Sequence, residues 1–242
     1  MTLAPAPVGR RGGLYDALLP WLLVIVLLVV VVSLLLRYDV FGTTTTSTAG
    51  TKGSGIAATE RRVLPPFHAL DLTGTNTVSV SVGRTQSVVV HADSNLLHRV
   101  TTRVENGTLV VGDLGSYSAR TPMRVAVSVP TLSAVKLGGS GLITVGGIHA
   151  REIAMTLAGS GALHATGSVD RLDASLTGTG DAQLDGLVAR DVHAVVAGSG
   201  RILVKATNSL DASVPGTGAI VFSGDPPHVT TSVTGVGAVI RG

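Results

Sequence analysis

The sequence predicts an all-β chain whose main part is a single-chain parallel β-solenoid of about 18–20-residue coils. Three observations carry that expectation. A G-x-G tripeptide opens at Gly139, Gly159, Gly178, Gly198, Gly216 and Gly235, at intervals of 20, 19, 20, 18 and 19 residues. Apolar residues alternate with period two on both sides of it, which is the signature of strands with one buried face. No 3.6-residue periodicity accompanies the repeat, and a propeller would need blades of roughly 40 residues.

Taken in order, residues 1–16 read as a short cytoplasmic tail and residues 17–36 as one transmembrane helix. The stretch ALLPWLLVIVLLVVVVSLLL holds twenty uncharged residues. At about 1.5 Å per residue it spans roughly 30 Å, a bilayer's hydrocarbon thickness. Tyr15, Trp21, Tyr38 and Phe41 flank it as an interfacial belt would. The apolar run is longer than that of a cleaved signal peptide, which favours a retained anchor. Arg10 and Arg11 place the amino terminus in the cytoplasm and the rest of the chain outside it. The expected location is therefore the inner membrane, single-pass, with a periplasmic or extracellular domain.

Residues 37–62 read as a flexible linker rich in Thr and Gly. Residues 63–130 are strand-rich without the repeat, and read as an irregular β cap. Within them Asn106-Gly107 between alternating apolar runs marks a two-residue hairpin. Residues 131–242 are the repeat coils. Leu137, Leu157, Leu176, Val196, Val214 and Val233 stand two positions before each tripeptide, and Ile143, Leu163, Ala182, Ile202, Ile220 and Val239 four after its first glycine. One coil cannot bury its own apolar face, but stacked coils share a core. The rule for parallel crossovers makes a right-handed β-helix the expected sense. Aligned coils bring Asp181 beside Arg201 and Asp185 beside Lys205, two matched charge pairs. The glycines themselves read as bends that turn the chain.

Composition excludes several function classes. With no cysteine the chain has no disulfide, thiolate metal site or lipid-anchoring cysteine. Of eighteen Lys and Arg, six lie in residues 1–62 against three acids, and residues 63–242 hold twelve of each. A neutral main domain with only 3% aromatics offers neither a phosphate-binding stripe nor stacking platforms, so nucleic acid is not an expected partner. The glycine motifs lack the Lys-Ser/Thr and the helix of a phosphate loop, and no G-x-S-x-G elbow occurs. No cofactor and no catalytic set are implied.

Two columns are candidates for surface chemistry. Five positions before the first glycine lie Asp173, His193 and Asp211, on three successive coils and pointing outward. The carboxylates then stand two rungs, roughly 10 Å, apart, with His193 placed to bridge them. A solvated charge ladder is the plainer reading, and a weak metal or glycan site the functional one. Between the paired glycines stand Ser140, Ser160, Thr179, Ser199 and Thr217, with Val236 closing the series. This hydroxyl column could contact sugars, but bonding among the hydroxyls or to the backbone at the bend is the preferred, structural reading.

VVVHADSNLLHRVTTRVENGTLVVG, followed by serial L-x-G-[ST]-G repeats, resembles the bacterial head GIN domain family, described as auto-transporter adhesins. Asn95-Leu96-Leu97, Val104, residues 106–109 and the G-[ST]-G series carry the resemblance, which covers about residues 67–242. It implies a β-helical, surface-exposed bacterial envelope domain with an adhesive role. Unlike a secreted auto-transporter, the chain is expected to carry its anchor at the amino terminus, with no translocator barrel expected after its last repeat. The expected function is a membrane-anchored, non-enzymatic binding domain for an envelope protein or glycan. The alternatives are a polysaccharide-active β-helix enzyme and a structural or sensor ectodomain.

Overall fold

The computed structural model describes residues 50–242. The expected tail (1–16), membrane helix (17–36) and first part of the linker (37–49) lie outside the described residues. Among the described residues no helix is long and apolar enough to cross a membrane. They form strands, with one 3-10 turn at Leu97–Arg99. β1 (Thr51–Lys52) and β2 (Ala57–Arg62) lead into β3 (Ala69–Leu72) and β4 (Thr77–Val82). An insertion then holds β5 (Ser87–Asp93), β6 (Val100–Glu105), β7 (Thr108–Asp113), β8 (Tyr117–Ser118) and β9 (Arg124–Val129). The regular coils follow as β10 (Ala134–Leu137), β11 (Leu142–Leu157), β12 (Ala162–Leu176), β13 (Asp181–Val196) and β14 (Arg201–Val214). β15 (Ala219–Ser223), β16 (His228–Val233) and β17 (Ala238–Arg241) complete the stack.

Two parallel ladders run the length of this β-solenoid. Before each G-x-G corner the rungs are β7, β3, β10, the second halves of β11, β12, β13 and β14, and β16. After it they are β9, β4, the first halves of β11 to β14, β15 and β17. The segment between the ladders, expected as a plain turn, also pairs from coil to coil: Ile148 to Ala150 match residues 167–169 after a register shift. Gly147 supplies the bend with φ 78°, a conformation costly for any residue with a side chain. A second bend shows as two consecutive exposed residues, Arg151-Glu152 in β11 and Asp170-Arg171 in β12. Each coil thus has three sides. Ile143, Val145, Ile148, Ile153, Met155 and Leu157 point inward from one coil and are at most 2% exposed. Burying each such side chain is worth about 1.5–3 kcal/mol.

The corner glycines do not act as flexible bends, and none of the paired corner glycines has positive φ. They are there because the coils stack backbone on backbone. A Cβ on Gly159 would lie under 3.0 Å from the carbonyl oxygen of Gly139, and one on Gly178 would meet Gly159 in the same way. The second column behaves alike, with Gly161 over Gly141 and Gly180 over Gly161. Neighbouring strands stand about 4.8 Å apart, and at the corners this leaves no room for a side chain aimed along the stack.

Three further expectations change. The stretch ALDLTGTNTVSVSV at residues 69–82 is itself a coil: Leu72 pairs with Leu137 and Thr77 with Leu142. The repeat was hidden because Asn76 replaces the second corner glycine and fifty-odd residues separate this coil from the next. Asn76 is tolerated because the Asp113 carboxylate, instead of a backbone corner, lies beneath it and accepts from Asn76 Nδ2 and, at 2.7 Å, from Thr75 N–H. The linker ends earlier than expected, since β1 pairs with β8 and β2 pairs antiparallel with β5. Buried Asp93 holds this arm, accepting from Gly55 N–H at 2.7 Å, Arg120 N–H at 2.8 Å and Thr121 N–H at 3.2 Å. Asn95 adds bonds to Lys52 O and Ser54 N–H, each 2.8 Å. Finally, Asp185 does not meet Lys205, because a shift after Leu184 sets Lys205 opposite Val188.

Other expectations match the structure. Asn106 (φ 49°) and Gly107 (φ 74°) join β6 to β7 as a tight hairpin. β5 and β6 run antiparallel to β9 and β7, covering the first parallel rungs. Arg201 Nε reaches Asp181 Oδ1 at 3.5 Å.

Candidate functional site

The outward column assembles in the expected register. Asp173 stands opposite His193, His193 opposite Asp211, and Asp211 opposite Thr230. His193 does not bridge the two acids. Its Nδ1 lies 3.2 Å from Asp211 Oδ2, whereas Asp173 is taken by the fork of Arg171, with Nε at 3.2 Å and Nη2 at 3.3 Å. The reason is geometric: side chains two residues apart on one strand share a face, so Arg171 reaches Asp173 along its own coil.

Arg171 belongs to a second polar column, two positions before the first, which the sequence reading passed over. Glu152 pairs with Arg171, Arg171 with Asp191, and Asp191 with Ser209. Its signal was present as consecutive polar residues at 151–152, 170–171, 190–191 and 208–209, the same pairs that mark the second bend. Asp191 accepts from Ser209 Oγ and Asn208 Nδ2, each at 2.6 Å. These two bonds hold its carboxyl below the usual aspartate value, while the bond to Asp173 pushes the Arg171 guanidinium up.

The two columns form a checkerboard of donors and acceptors around a shallow depression of about 170 Å³, lined by Arg171, Asp191, His193, Ser209 and Asp211. With Nδ1 engaged, the His193 ring has Nε2 left for a ligand. The face thus offers a guanidinium, an imidazole, a hydroxyl and carboxylates on strands held by ladders on both sides. Among the described residues no three His, Asp or Glu side chains converge to hold a metal ion. The two candidate acids stand on rungs separated by His193, in keeping with the expected spacing.

The hydroxyl column is exposed at every position, from Ser140 and Ser160 through Thr179, Ser199 and Thr217. Among the described residues its one hydroxyl-to-hydroxyl bond is Thr217 to Ser199, at 2.9 Å. The structural work at this corner is done by the glycines on either side. Register extends the column to Thr75, and Thr75, Ser140, Ser160, Thr179 and Asp181 line a groove of about 470 Å³.

Comparison with known proteins agrees with this architecture. Residues 66–226 match the family model described as "putative auto-transporter adhesin, head GIN domain". No curated protein matches the chain. A crystal structure described as a putative adhesin from Bacteroides fragilis is similar with a TM-score of 0.63 at 19% identity, over 79% of this chain and 100% of that one. A second such adhesin, from Parabacteroides merdae, gives 0.53 at 20% identity, over 80% and 99%. A structure from Parabacteroides distasonis described as a putative lipid binding protein gives 0.50 at 22% identity, over 79% and 98%. At these identities the solved structures speak for the fold alone.

Proposed function

The chain belongs to the head GIN domain family, the "putative auto-transporter adhesins", and from that premise we propose that it is a non-enzymatic binding module displayed outside the cytoplasmic membrane. Residues 17–36 serve as its single-pass anchor, and the polar face around His193 and Asp211 meets an envelope glycan or protein. One observation supports this reading above the others: Arg171, Asp191, His193, Ser209 and Asp211 line one depression of the sheet, with Asp173 bonded to Arg171. Carbohydrate hydroxyls and peptide groups both need such closely alternating donors and acceptors.

The test is binding of the full-length chain, in detergent micelles, to a glycan array and to isolated cell envelopes. Saturable binding lost in His193→Ala and Asp211→Ala, with an unchanged circular dichroism spectrum, is the expected result. No saturable binding, or binding indifferent to both substitutions, overturns it. Polysaccharide cleavage abolished by Asp173→Ala or Asp211→Ala would replace it with the enzyme reading.

A further inference from the structure

We propose that the surface around residue 50, where the chain enters the solenoid, docks on an anionic lipid bilayer. The proposal rests on the reading of residues 17–36 as an anchor. Three segments build this surface: residues 50–56, 94–99 and 114–120. Thr51 N–H reaches Ser116 O at 3.1 Å, and Gly53 N–H reaches Ser118 O at 2.8 Å. Arg99 ties in the middle segment, its Nη2 donating to Thr51 Oγ1 at 2.9 Å and its Nη1 to Leu114 O at 3.1 Å.

Lys52, Arg99 and Arg120 are the charged residues of these segments, which hold no acid. Lys52 and Arg120 are exposed. The neighbouring acids are turned inward. Asp93 is buried and accepts from the N–H groups of Gly55, Arg120 and Thr121, while Asp113 accepts from Thr75, Asn76 and Tyr117. On the coils, by contrast, Arg171 and Arg201 each stand beside an acid, Asp173 and Asp181. Ile56 and Leu114 flank the basic groups and are 67% and 51% exposed. The positions around them, among them Ser54, Gly55, Ser94, Gly115, Ser116 and Ser118, are small, so nothing bulky holds the cations off a flat surface.

Chain length and charge together identify the bilayer as the occupant. Thirteen residues, 37–49, separate the apolar stretch from Gly50. Even fully extended they reach no more than about 45 Å. An anchored chain therefore keeps this surface beside lipid at all times, and the tether turns docking into an intramolecular step. Cations meet the lipid phosphates, and protruding aliphatics enter the headgroup boundary. A soluble polyanion would find the cations but has no use for Ile56 and Leu114.

The chain has no cysteine, so a single one can be placed and labelled. The test is the full-length chain with Ala119→Cys carrying a nitrobenzoxadiazole dye, in vesicles of phosphatidylcholine alone or mixed with phosphatidylglycerol. The emission should shift to the blue in the mixed vesicles only, and return on adding salt. The same dye at Thr179→Cys, on the coil corner, should not shift. Each cation near an anionic surface is worth about fivefold, so Lys52→Glu with Arg120→Glu should lower the ratio of docked to free chains by at least about tenfold. The fold keeps its bonds there, which are made by Lys52 O and Arg120 N–H. Val188→Glu, at an aliphatic residue exposed on the coils, should change nothing. Alkaline carbonate extraction reads the anchor separately. An anchored chain whose label at 119 stays unshifted, shifts equally at 179, or ignores the double substitution overturns the docking surface and leaves the anchor standing. A chain that carbonate washes from both vesicles has lost the anchor reading. It keeps the docking surface if it still floats with the mixed vesicles at neutral pH and the double substitution abolishes this; otherwise both fall.

Discussion

Gly138 and Gly139 are neighbours in one corner, and the stacking argument sets them far apart in consequence. A methyl group on Gly138 meets only Leu72 O, at 3.9 Å, an ordinary contact. On Gly139 it would lie under 3.0 Å from Gly74 O and C and from Thr73 O, all backbone atoms of the coil beneath. The coils at that point are held by Gly138 N–H to Leu72 O at 2.9 Å, Gly139 N–H to Leu72 O at 3.2 Å and Leu142 N–H to Asn76 O at 3.2 Å. To admit the methyl group the corner must rise by about 1 Å or more, stretching all three bonds past useful length. The three bonds at about 0.5–1.5 kcal/mol each and the overpacking at about 1–3 kcal/mol are overlapping accounts of one strain, so Gly139→Ala should destabilise by about 2–4 kcal/mol. For a domain of this size that is a fall of roughly 5–15 °C in Tm. Gly138→Ala should be neutral or stabilise by up to about 1 kcal/mol, through the unfolded chain. The assay is thermal unfolding followed by circular dichroism on both variants. If the two melt within about 2 °C of each other, close stacking is not why the corner holds glycine.

Leu163→Ala removes a side chain that is 0% exposed between two coils, and should cost about 2–5 kcal/mol by denaturant titration. Burial alone would raise the Asp93 carboxyl, but the N–H groups of Arg120, Thr121 and Gly55 hold it below the ordinary aspartate value of 3.8. Its contribution to stability is therefore complete above that value and lost as pH falls through the lower folded-state value. Asp93→Asn should flatten that acid limb in melts recorded between pH 2 and 6, and speed hydrogen exchange at residues 51–56. Tyr117 donates to Asp113 at 2.6 Å, and burial together with that carboxylate pushes its phenol up to about 12. In a titration at 295 nm one of the three tyrosines should ionise near that value, and stability should decline between pH 10 and 12; Tyr117→Phe removes both effects.

The coils were legible because stacking imposes one rule on every turn. Residues at the same register face the same neighbours, so Asp173, His193 and Asp211 could be placed side by side from spacing alone. What escaped were the places where that rule is interrupted. The coil at 69–82 lost its second corner glycine to Asn76, which can stand there because Asp113 lies below. The Asp185–Lys205 pairing assumed a constant register through Leu184, where the strand bulges. The Arg171–Asp173 fork runs along a strand instead of across strands, so column-by-column alignment does not display it. The arm at 51–62 looks like a spacer because its hold comes from Asp93 and Asn95, forty residues away, and not from apolar residues of its own.

That hold sets how the molecule would carry a load. A pull arriving from the amino-terminal side at residue 50 enters through the short β1–β8 pairing and the polar contacts of Asp93 and Asn95 before it reaches any coil. The paired arm β2 and its partner β5 lie antiparallel, an arrangement in which strands drawn apart lengthwise share the strain over all their hydrogen bonds at once. Coils peeled from the opposite end would instead open one rung at a time. The arm is thus a polar clasp between whatever pulls at residue 50 and the apolar coils behind it.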